Sequence, residues 1–384
     1  MNLFYVANTR LPTEKAHGLA TVKICEAFAE SGSAVELLVP RLWRPGGGDP
    51  YVAYAVKKNF KITKVPCIDL VPLPLPEKFT FLLQMVSFSF FAALYGFPRK
   101  KKDPSAIFFS HDYIPLFFLT FVSSNIYYDI HHYPGKNFMY ARVMKKSFGF
   151  AVQTSWKAKE IEKDFGIEAE KIVYWPNGTD SGKIAAISRD SALSHVAIPK
   201  ERKIILYVGA LFDWKGVDTL LKAFHFIPRD AFIYIVGGSK KDIGAMKEKI
   251  EEACHERVVF VPFVPHEEVA YWLRAADVLV LPNTAKQKVS LYYTSPMKLF
   301  EYMASGVPIV ASRIPSILEI VDDSSALLAE ADNPESFGRV ITSVFEKPAV
   351  AFTAADRAKE LVKQYTWHER ARKILSHAKR LAKQ

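Results

Sequence analysis

The residues best suited to chemistry lie in the stretch 292–306, which reads YYTSPMKLFEYMASG. Ser295 can cap a helix and Pro296 suits its first position, where free backbone N–H groups form an anion site. Glu301 lies five residues beyond Pro296, which places it roughly 7 Å further along the helix. This separation suits a diphosphate at the helix start, with its ribose beside a carboxylate that accepts two hydroxyl hydrogens. The alternative is a structural carboxylate at the edge of a core-facing side, which is expected to contain Phe300, Met303 and Ala304.

A second candidate anion site follows an apolar run that ends in Gly209. The short loop ALFDWKG then carries Lys215 toward a predicted helix. A lysine at a helix N-terminus is electrostatically unfavourable, because the helix dipole attracts anions there. An anion that shares the site resolves the conflict, and a solvated surface lysine is the alternative.

Two loops in the first half of the chain are weaker candidates. Gly18 stands at the predicted start of a helix after the loop 8–18, where it allows a ligand to approach backbone N–H groups. The loop lacks the GxGxxG pattern, so an ordinary long loop is the alternative. His131 ends a buried strand where ligands bind in open α/β sheets, although a lone histidine is usually structural.

Strand-like apolar runs alternate with helix-length segments along the chain. Many runs are continuously apolar, which predicts strands covered by helices on both faces, in right-handed βαβ units. We therefore predict an α/β protein with two doubly wound parallel sheets. The predicted strands are 3–7, 35–39, 106–109, 126–130, 151–154, 172–175, 204–208, 232–236, 258–261, 278–281 and 308–311.

The length of 384 residues suits two domains of roughly 150–200 residues each. The turn cluster at 176–180 and the polar stretch after it predict a first domain over 1–178, a linker over 179–202 and a second domain over 203–365. The closing helical segment, about 366–384, follows no strand and is expected to cross back to the first domain.

The composition narrows the classes of partner. The net charge of +11 favours an anionic partner, such as a phosphorylated substrate, an anionic membrane or nucleic acid. No motif supports nucleic acid, and the three separated cysteines predict neither a zinc site nor a disulfide framework. The N-terminus lacks the features of a cleavable signal, so a cytoplasmic location is expected.

The segment 80–97 contains no charged residue and is followed by Arg99, Lys100, Lys101 and Lys102. Three interpretations remain open. The segment is a core helix, a helix that lies on an anionic membrane surface, or a short membrane span.

Taken together, these motifs resemble the GT-B glycosyltransferases of the large retaining family 4, the glycogen-synthase-like group 1 enzymes. The resemblance covers nearly the whole chain, and the form TSPMKLFEYMA is similar to a bacterial subgroup. It rests on the motif order: the loop with Gly18, the strand-end His131, YVGALFDWKGVDTLLKAF, FIYIVGG, DVLVLP, SPMKLFEYMASGVPIVAS, Asn333-Pro334-Glu335 and the closing WHER. It implies two Rossmann-like domains that face a cleft and transfer of a sugar from a nucleotide diphosphate donor to an acceptor hydroxyl, with retention.

The resemblance also implies roles for single residues. Lys215 matches the diphosphate-binding lysine, Glu301 the ribose-binding glutamate and His131 a histidine near the transferred sugar, and these three are the expected catalytic residues. Gly18 matches a glycine of the loop that closes on the phosphates. The nucleobase is expected near Phe263 and Val264. The remaining expected donor-binding residues are Gly209, Thr294, Ser295, Pro296, Lys298 and Leu299.

Two positions depart from the family pattern. Tyr293 replaces the first glutamate of the signature pair, which puts the identity of the sugar in doubt. Ala210 replaces the arginine that commonly assists the diphosphate lysine, so Lys298, Arg10 or Lys15 is expected to compensate.

The reaction is expected to need no metal ion and no cofactor, with a UDP- or GDP-type sugar as donor. The expected acceptor is a glycan or a lipid-linked glycan, with peripheral contact to an anionic membrane at the inner face of the cell membrane. Nucleic acid is not an expected partner. The alternative from another class is an inactive GT-B scaffold or binding protein, which Tyr293 and Ala210 favour. A NAD-dependent enzyme is disfavoured because GxGxxG is lacking.

Overall fold

The computed structural model describes residues 1–13, 16–43, 47–133, 135–248, 250–251 and 256–382. The chain divides into two compact units. The first unit comprises Met1–Pro176 together with Trp367–Gln384, and the second comprises Asn177–Thr366. Cys254 and Lys15 lie outside the described residues.

The first unit is built on a parallel sheet in the order β3-β2-β1-β4-β5-β6-β7. Its strands are β1 (Asn2–Val6), β2 (Ala34–Pro40), β3 (Lys61–Val65), β4 (Ile107–Ser110), β5 (Ile126–Ile130), β6 (Gly149–Val152) and β7 (Ile172–Tyr174). Its helices are α1 (Ala16–Glu30), α2 (Pro50–Ala53), α3 (Glu77–Lys102), α4 (Tyr113–Leu119), α5 (Phe138–Lys146), α6 (Ser155–Phe165) and, from the end of the chain, α16 (Trp367–Leu381).

The second unit is built on a parallel sheet in the order β10-β9-β8-β11-β12-β13. Its strands are β8 (Lys203–Val208), β9 (Ala231–Val236), β10 (Val258–Val261), β11 (Val278–Leu281), β12 (Ile309–Ser312) and β13 (Leu327–Ala329). Its helices are α7 (Ser181–Ala185), α8 (Arg189–His195), α9 (Val217–Lys222), α10 (Lys240–Lys247), α11 (His266–Ala275), α12 (Met297–Ser305), α13 (Pro315–Leu318), α14 (Pro334–Glu346) and α15 (Pro348–Leu361).

The predicted class, α/β with two doubly wound parallel sheets, is confirmed. In both sheets the strand order reverses at one place, between β1 and β4 and between β8 and β11. Ligands of such sheets bind beside this reversal, outside the carboxyl ends of the strands. The loops that follow β1 and β8 are therefore the structural counterparts of the two loops singled out from the sequence.

The interval 179–202, expected to be a linker, instead contains helices α7 and α8. Four of its apolar side chains are buried in the core of the second unit: Ile184, Ala192, Leu193 and Ile198. These four side chains are separated by polar residues, so the interval shows no clear helical period of apolar residues. The polar residues cover the outer side of two short helices.

The closing helix α16 belongs to the first unit, where it packs against α1. Its apolar side is buried through Ala371, Ile374 and Leu375. Arg370 on the same helix is also buried, and its guanidinium reaches Asp129 on β5.

The uncharged segment 80–97 lies within α3, which packs beside α4 and near β2 and β3. The helix is long and apolar enough to cross a membrane, by length and composition alone. Only 44% of the most apolar 18-residue stretch of this helix is buried. A purely core helix is therefore not what the structure contains, because several large apolar side chains of α3 face solvent.

Candidate functional site

The start of α12 is the geometric centre of the candidate site in the second unit. Ser295 does not cap this helix, which corrects the sequence prediction. Its hydroxyl accepts a hydrogen bond from the Asn177 backbone N at 3.1 Å, and the Asn177 side chain donates to the Ser295 carbonyl at 2.9 Å. Pro296, with ψ of 113°, occupies the cap position instead of the first helical position. The extended Pro296 moves Ser295 one residue too far from the helix to cap it.

No side chain in the described part of the chain caps α12. The first backbone N–H groups of a helix have no partner within it and point along the axis, where they bind anions. The anion site expected at this helix start therefore has the backbone groups that it needs. These come from Met297 and Lys298 rather than from a serine-capped turn.

Lys298 lies at this helix start with a buried ammonium group. Its Nζ has no hydrogen-bond partner among the described residues and lies 3.8 Å from the centre of the Tyr207 ring. Burial, and next the charge of Lys215, hold the pKa of Lys298 well below its usual value. A cation–π contact stabilises an ammonium less than an anionic partner does. The Lys298 ammonium is thus placed to accept an anion.

Gly209 fits directly against this ammonium at the end of β8. It has φ of +141°, and a Cβ there would lie 2.5 Å from the Lys298 Nζ. Any larger residue would displace the lysine. The position of α12 relative to β8 is fixed nearby, because the Val208 backbone N donates to the Tyr302 hydroxyl at 2.9 Å.

Lys215 ends a 3-10 turn, Asp213–Lys215, which follows the β8 loop. Its Nζ lies 3.7 Å from the centre of the Trp214 ring, and burial lowers its pKa to about 7. The turn ends at Gly216, whose φ is +67° and whose Cβ, if present, would lie 1.9 Å from the Pro282 carbonyl oxygen. A glycine is therefore required where the chain turns from Lys215 into α9.

Glu301 lies one turn after Lys298 on α12. Burial raises the pKa of Glu301, whereas the charges of His266 and Lys298 lower it. The carboxylate Oε1 is 3.9 Å from the His266 Nε2. The prediction that Phe300, Met303 and Ala304 face the core is confirmed, because all three are buried. Gly209, Lys215, Lys298 and Glu301 are thus brought together.

The other predicted donor residues have different surroundings. Leu299 is fully buried in the core, and Thr294 is half-buried. Val264 is half-buried and packs against the core of the second unit, beside an exposed Phe263. Tyr293 closes a π-helical turn, Val289–Tyr293, a geometry that is common at functional sites. The roles of these residues in donor binding stay predictions.

His131 is held by a network within the first unit. Its Nε2 lies 3.1 Å from Asp129 Oδ2, and its ring stacks on His111 with centres 5.1 Å apart. Burial lowers the pKa of His131 to about 4, although Asp129 acts in the opposite direction. The imidazole is therefore neutral at pH 7. Because a carboxylate can only accept, the proton lies on Nε2 and the lone pair on Nδ1.

Asp129 is the centre of this network. Burial alone would raise its pKa, but Arg370 and His131 hold the pKa well below its usual range. Arg370 donates to both carboxylate oxygens, at 2.7 and 2.9 Å, and the Gln153 side chain donates to Oδ1 at 3.0 Å. The closing helix thereby helps to orient His131 through Asp129.

Gly18 lies in the first turn of α1. A Cβ there would meet the Thr13 methyl at 2.3 Å and the Tyr54 hydroxyl at 2.7 Å. The Tyr54 hydroxyl in turn accepts a hydrogen bond from the Thr13 backbone N at 2.6 Å and donates one to the Thr13 carbonyl at 2.9 Å. The space beside Gly18 is therefore filled by the loop itself, and contact with a ligand stays a prediction.

Sequence reasoning missed five residues that shape these sites: Asn177, Tyr207, Trp214, His266 and Arg370. Asn177 was visible only as part of a turn, and Arg370 only as part of the closing WHER motif. Tyr207 and Trp214 stood beside named residues, but their contacts with the lysines depend on side-chain directions. His266 gave no signal, since 35 positions separate it from Glu301.

The described residues contain no group of three or more His, Cys, Asp and Glu side chains that could hold a metal ion. Arg10 is exposed, whereas Lys298 lies close enough to Lys215 for their charges to interact. That Lys298 compensates for the missing arginine stays a prediction.

The fold of the chain is GT-B, with two Rossmann-like units built on parallel sheets. Sucrose-phosphate synthase from Thermosynechococcus elongatus superposes with a TM-score of 0.78 at 17% identity, covering 100% of this chain and 99% of that chain. HepE from Anabaena, in complex with UDP-glucose, gives 0.72 at 14% identity, covering 100% and 98%. Likeness at such low identity defines the fold and no more.

Sequence comparison gives similarity to glycosyltransferases. Residues 202–347 match the family described as glycosyl transferases group 1. D-inositol 3-phosphate glycosyltransferase from Xylanimonas cellulosilytica is 23% identical over 246 residues, 61% of this chain and 57% of that protein. A glycosyltransferase of Methanocaldococcus jannaschii is 25% identical over 189 residues, 47% of this chain and 46% of that protein. The match thus spans about half the length of these curated relatives.

Proposed function

We propose that the protein is a retaining glycosyltransferase of family 4, in the TSPxKLFEYMA subgroup, which uses a nucleotide diphosphate sugar as donor. The observation that carries the proposal is the buried ammonium of Lys298, which has no described hydrogen-bond partner at an uncapped helix start. Lys215 supplies a second partly desolvated cation to the same place. Two such cations and free backbone N–H groups fit a diphosphate, whose negative charge each of them stabilises.

The same groups suit the chemical step. The bond between the anomeric carbon and the diphosphate oxygen breaks, and its electron pair remains on the leaving diphosphate. Lys215, Lys298 and the first N–H groups of α12 are positioned in advance for that developing charge. The acceptor oxygen forms the new bond on the same face of the sugar, and its proton passes to the leaving phosphate. This use of lysines and helix dipole requires no metal ion.

Glu301 and His131 have separate roles in the proposal. Glu301 accepts hydrogen bonds from the ribose hydroxyls, which requires it to be ionised. Burial raises the pKa of Glu301, and the charges of His266 and Lys298 oppose that rise and so favour the ionised state. His131 is neutral at pH 7 and presents its Nδ1 lone pair, which suits a hydrogen bond from a sugar hydroxyl rather than electrostatic catalysis.

UDP-glucose is the first donor to test, because HepE was solved with it and shares the fold. A GDP-type donor is the second. We propose a glycan or lipid-linked glycan as acceptor, in polysaccharide or glycolipid biosynthesis at the cytoplasmic side of a membrane. The net charge of +11 supports an anionic surface or substrate.

The experiment measures slow donor hydrolysis, in which water replaces the acceptor. UDP-glucose, UDP-galactose, UDP-N-acetylglucosamine and GDP-mannose are incubated with the protein, and NMR follows the anomeric configuration of the released sugar. We expect one donor to be cleaved with initial retention. Lys215→Ala and Glu301→Ala are each expected to lower the rate at least tenfold, a loss of about 1.4 kcal/mol in transition-state stabilisation. Lys241→Ala, at an exposed lysine of α10, is the control.

The second candidate function is an inactive GT-B scaffold that binds a nucleotide sugar. Tyr293 and Ala210 favour it, because each replaces a family residue that contacts the donor. It predicts donor binding without turnover. Inverted product, or near-normal rates in both variants, would contradict the retaining enzyme.

A further inference from the structure

Helix α3 presents a continuous apolar stripe to solvent. The stripe repeats at spacings of three and four residues, so its members lie along one side of the helix. It spans 19 residues, from Phe79 to Phe97, which is about 27 Å along the axis. Its members are Phe79, Leu82, Val86, Phe90, Leu94 and Phe97. All are exposed except Val86, which is half-buried.

The opposite side of α3 is committed to the first unit. Phe88 and Ala92 are fully buried in its core. A Cβ at Gly96 would lie 2.7 Å from the Phe108 ring of β4, so the helix lies directly on the sheet. Gln84 donates to the Asn8 side chain at 2.8 Å. A helix fixed in this way cannot span a bilayer without unfolding its unit.

The apolar surface continues from α3 onto α4 and α5. Phe90 contacts Phe118, with ring centres 6.5 Å apart. Phe117 lies 5.4 Å from Phe121 and 5.6 Å from Phe138. Phe121 and Phe138 are 64% and 73% exposed. We call the α3 stripe together with Phe117, Phe118, Phe121 and Phe138 the aromatic face. This continuous apolar surface is far larger than scattered surface residues would produce.

Basic residues border the aromatic face. Helix α3 carries Lys78, Arg99, Lys100, Lys101 and Lys102 against one acid, Glu77, and α5 carries Arg142, Lys145 and Lys146 against none. The Lys101 Nζ lies 4.6 Å from the Phe97 ring centre, and the Arg142 guanidinium 4.0 Å from the Phe121 ring centre.

Two of these basic side chains have partners within the protein and do not extend freely into solvent. Arg99 stacks on Tyr95 and lies 3.8 Å from Glu36, and Lys100 donates to the Ala106 carbonyl at 3.1 Å. Lys101 and Lys102 are exposed, and no salt bridge to either occurs within the described residues. Lys145 and Lys146 are also exposed. Four lysines therefore extend from the edges of the aromatic face.

We infer that the aromatic face docks on the surface of an anionic lipid bilayer, with α3 in the plane of the headgroups. An apolar stripe with bordering lysines has the composition of interfacial helices, whose apolar side enters the headgroup region while the cations meet anionic lipid. A second copy fits less well, because a two-fold contact between identical faces would bring their lysines together.

Docking in this way would keep the first unit at the membrane, where lipid-linked acceptors lie. That consequence rests on the proposed function, whereas docking itself does not. The two are distinguished experimentally, because vesicle binding needs no nucleotide and nucleotide binding needs no vesicle.

The test is flotation of the full chain with phosphatidylcholine vesicles, with and without phosphatidylglycerol. We expect flotation with the anionic vesicles, reduced by high salt. Lys101→Glu with Lys102→Glu should weaken the apparent affinity by about 30-fold or more, since each surface cation contributes about 1 kcal/mol. Leu82→Gln, Leu94→Gln and Phe97→Gln together should abolish flotation even at low salt.

Two control variants carry changes of the same kind in the second unit: Lys240→Glu with Lys241→Glu on α10, and the single change Phe352→Gln on α15. These positions are exposed, and flotation should be unchanged. Thermal unfolding checks that each variant is folded, and light scattering measures its oligomeric state. Equal flotation with neutral vesicles, or none with anionic ones, would overturn the inference. A dimer in solution that the apolar variant dissociates, or protein resistant to alkaline extraction from vesicles, would overturn it as well.

Discussion

At the scale of single residues, the buried ammonium of Lys298 is the most informative feature. A lysine in such a place usually has a carboxylate within reach, because an unpaired buried charge is costly. Here the nearest groups are the Tyr207 ring and Gly209, and the charge of Lys215 is repulsive. The Glu301 carboxylate favours the charged form, but it makes no hydrogen bond to the Lys298 ammonium. The free protein therefore carries a local electrostatic cost, and the proposed diphosphate would remove it.

This feature predicts opposite effects of Lys298→Met on the free and the ligand-bound protein. Methionine fills similar space without a charge, so the melting temperature of the free protein should stay equal or rise. Stabilisation by a nucleoside diphosphate should fall to less than half of the wild-type value, because one cation is lost. Differential scanning calorimetry measures both. Lys241→Met on α10 is the control and should change neither, whereas an unaltered ligand shift in Lys298→Met would remove Lys298 from the site.

The pKa of Lys215 predicts a dependence on pH. In the free protein the pKa is about 7, below the usual value of 10.5, so the folded state binds fewer protons than the unfolded state between these values. Stability of the free protein due to Lys215 should rise with pH in this window. Diphosphate binding favours the charged amine, so affinity should fall with pH above 7, by up to about tenfold per unit.

Calorimetric titration with UDP at about pH 8, where the phosphates are already ionised, measures this directly. Repeating the titration in buffers of different ionisation enthalpy should reveal proton uptake on binding. Lys215→Arg, which stays charged, should bind with less proton uptake than wild type. Equal proton uptake by both proteins would assign the titration to another group.

Residue types and spacing predicted Lys215 and Glu301 as partners of one ligand, and the structure places both near Lys298. The residue at the cap position of α12 could not be predicted. Pro296 occupies it because its ψ angle is extended, and Ser295 instead bonds Asn177, which is far away in sequence. The rings under the two lysines were also beyond prediction, since ring contacts depend on tertiary packing.

At the scale of elements, helix α16 connects the end of the chain to the strand that carries His131. Arg370 is fully buried and bonds both oxygens of Asp129. It also donates to the carbonyls of Trp175 and Pro176, where the first unit ends. The Arg370 side chain thus joins three parts of the first unit: α16, β5 and the chain at Trp175 and Pro176.

Arg370→Leu should destabilise the first unit strongly. The substitution leaves Asp129 buried and uncompensated, for which a loss of about 3–5 kcal/mol in the free energy of unfolding is typical. Urea unfolding measures the loss. Arg372→Leu, two positions along the same helix, breaks only an exposed contact with Glu369 and should leave unfolding unchanged. Equal stability of the two variants would show that the buried pair does not hold α16 in place.

The pattern of apolar runs predicted most strands, three of them with their observed bounds: β5, β10 and β11. The strands β3 and β13 were missed, and both lie at the edge of a sheet. β3 reads KITKV, with lysines that solvent tolerates at an edge, and β13 has only three residues. Edge strands are covered on fewer sides, so their sequences need less continuous apolar character.

At the scale of the whole molecule, charge and hydrophobicity are distributed unevenly. The net charge of +11 includes the lysines around the aromatic face and the two lysines of the candidate site. The lysines around the aromatic face are exposed, whereas Lys215 and Lys298 are partly or fully desolvated. Salt should therefore weaken vesicle binding more than nucleotide binding, because exposed charges are screened more effectively.

A thermal-shift series with UDP, GDP, ADP, CDP and NAD, on wild type and Lys215→Ala, tests directly whether Lys215 belongs to a nucleoside diphosphate site. At 100 times the dissociation constant, one nucleoside diphosphate should stabilise wild type by about 2.7 kcal/mol. The variant should lose most of that shift. Stabilisation by none of the five, or an equal shift in the variant, would contradict a nucleotide diphosphate site at Lys215 and Lys298.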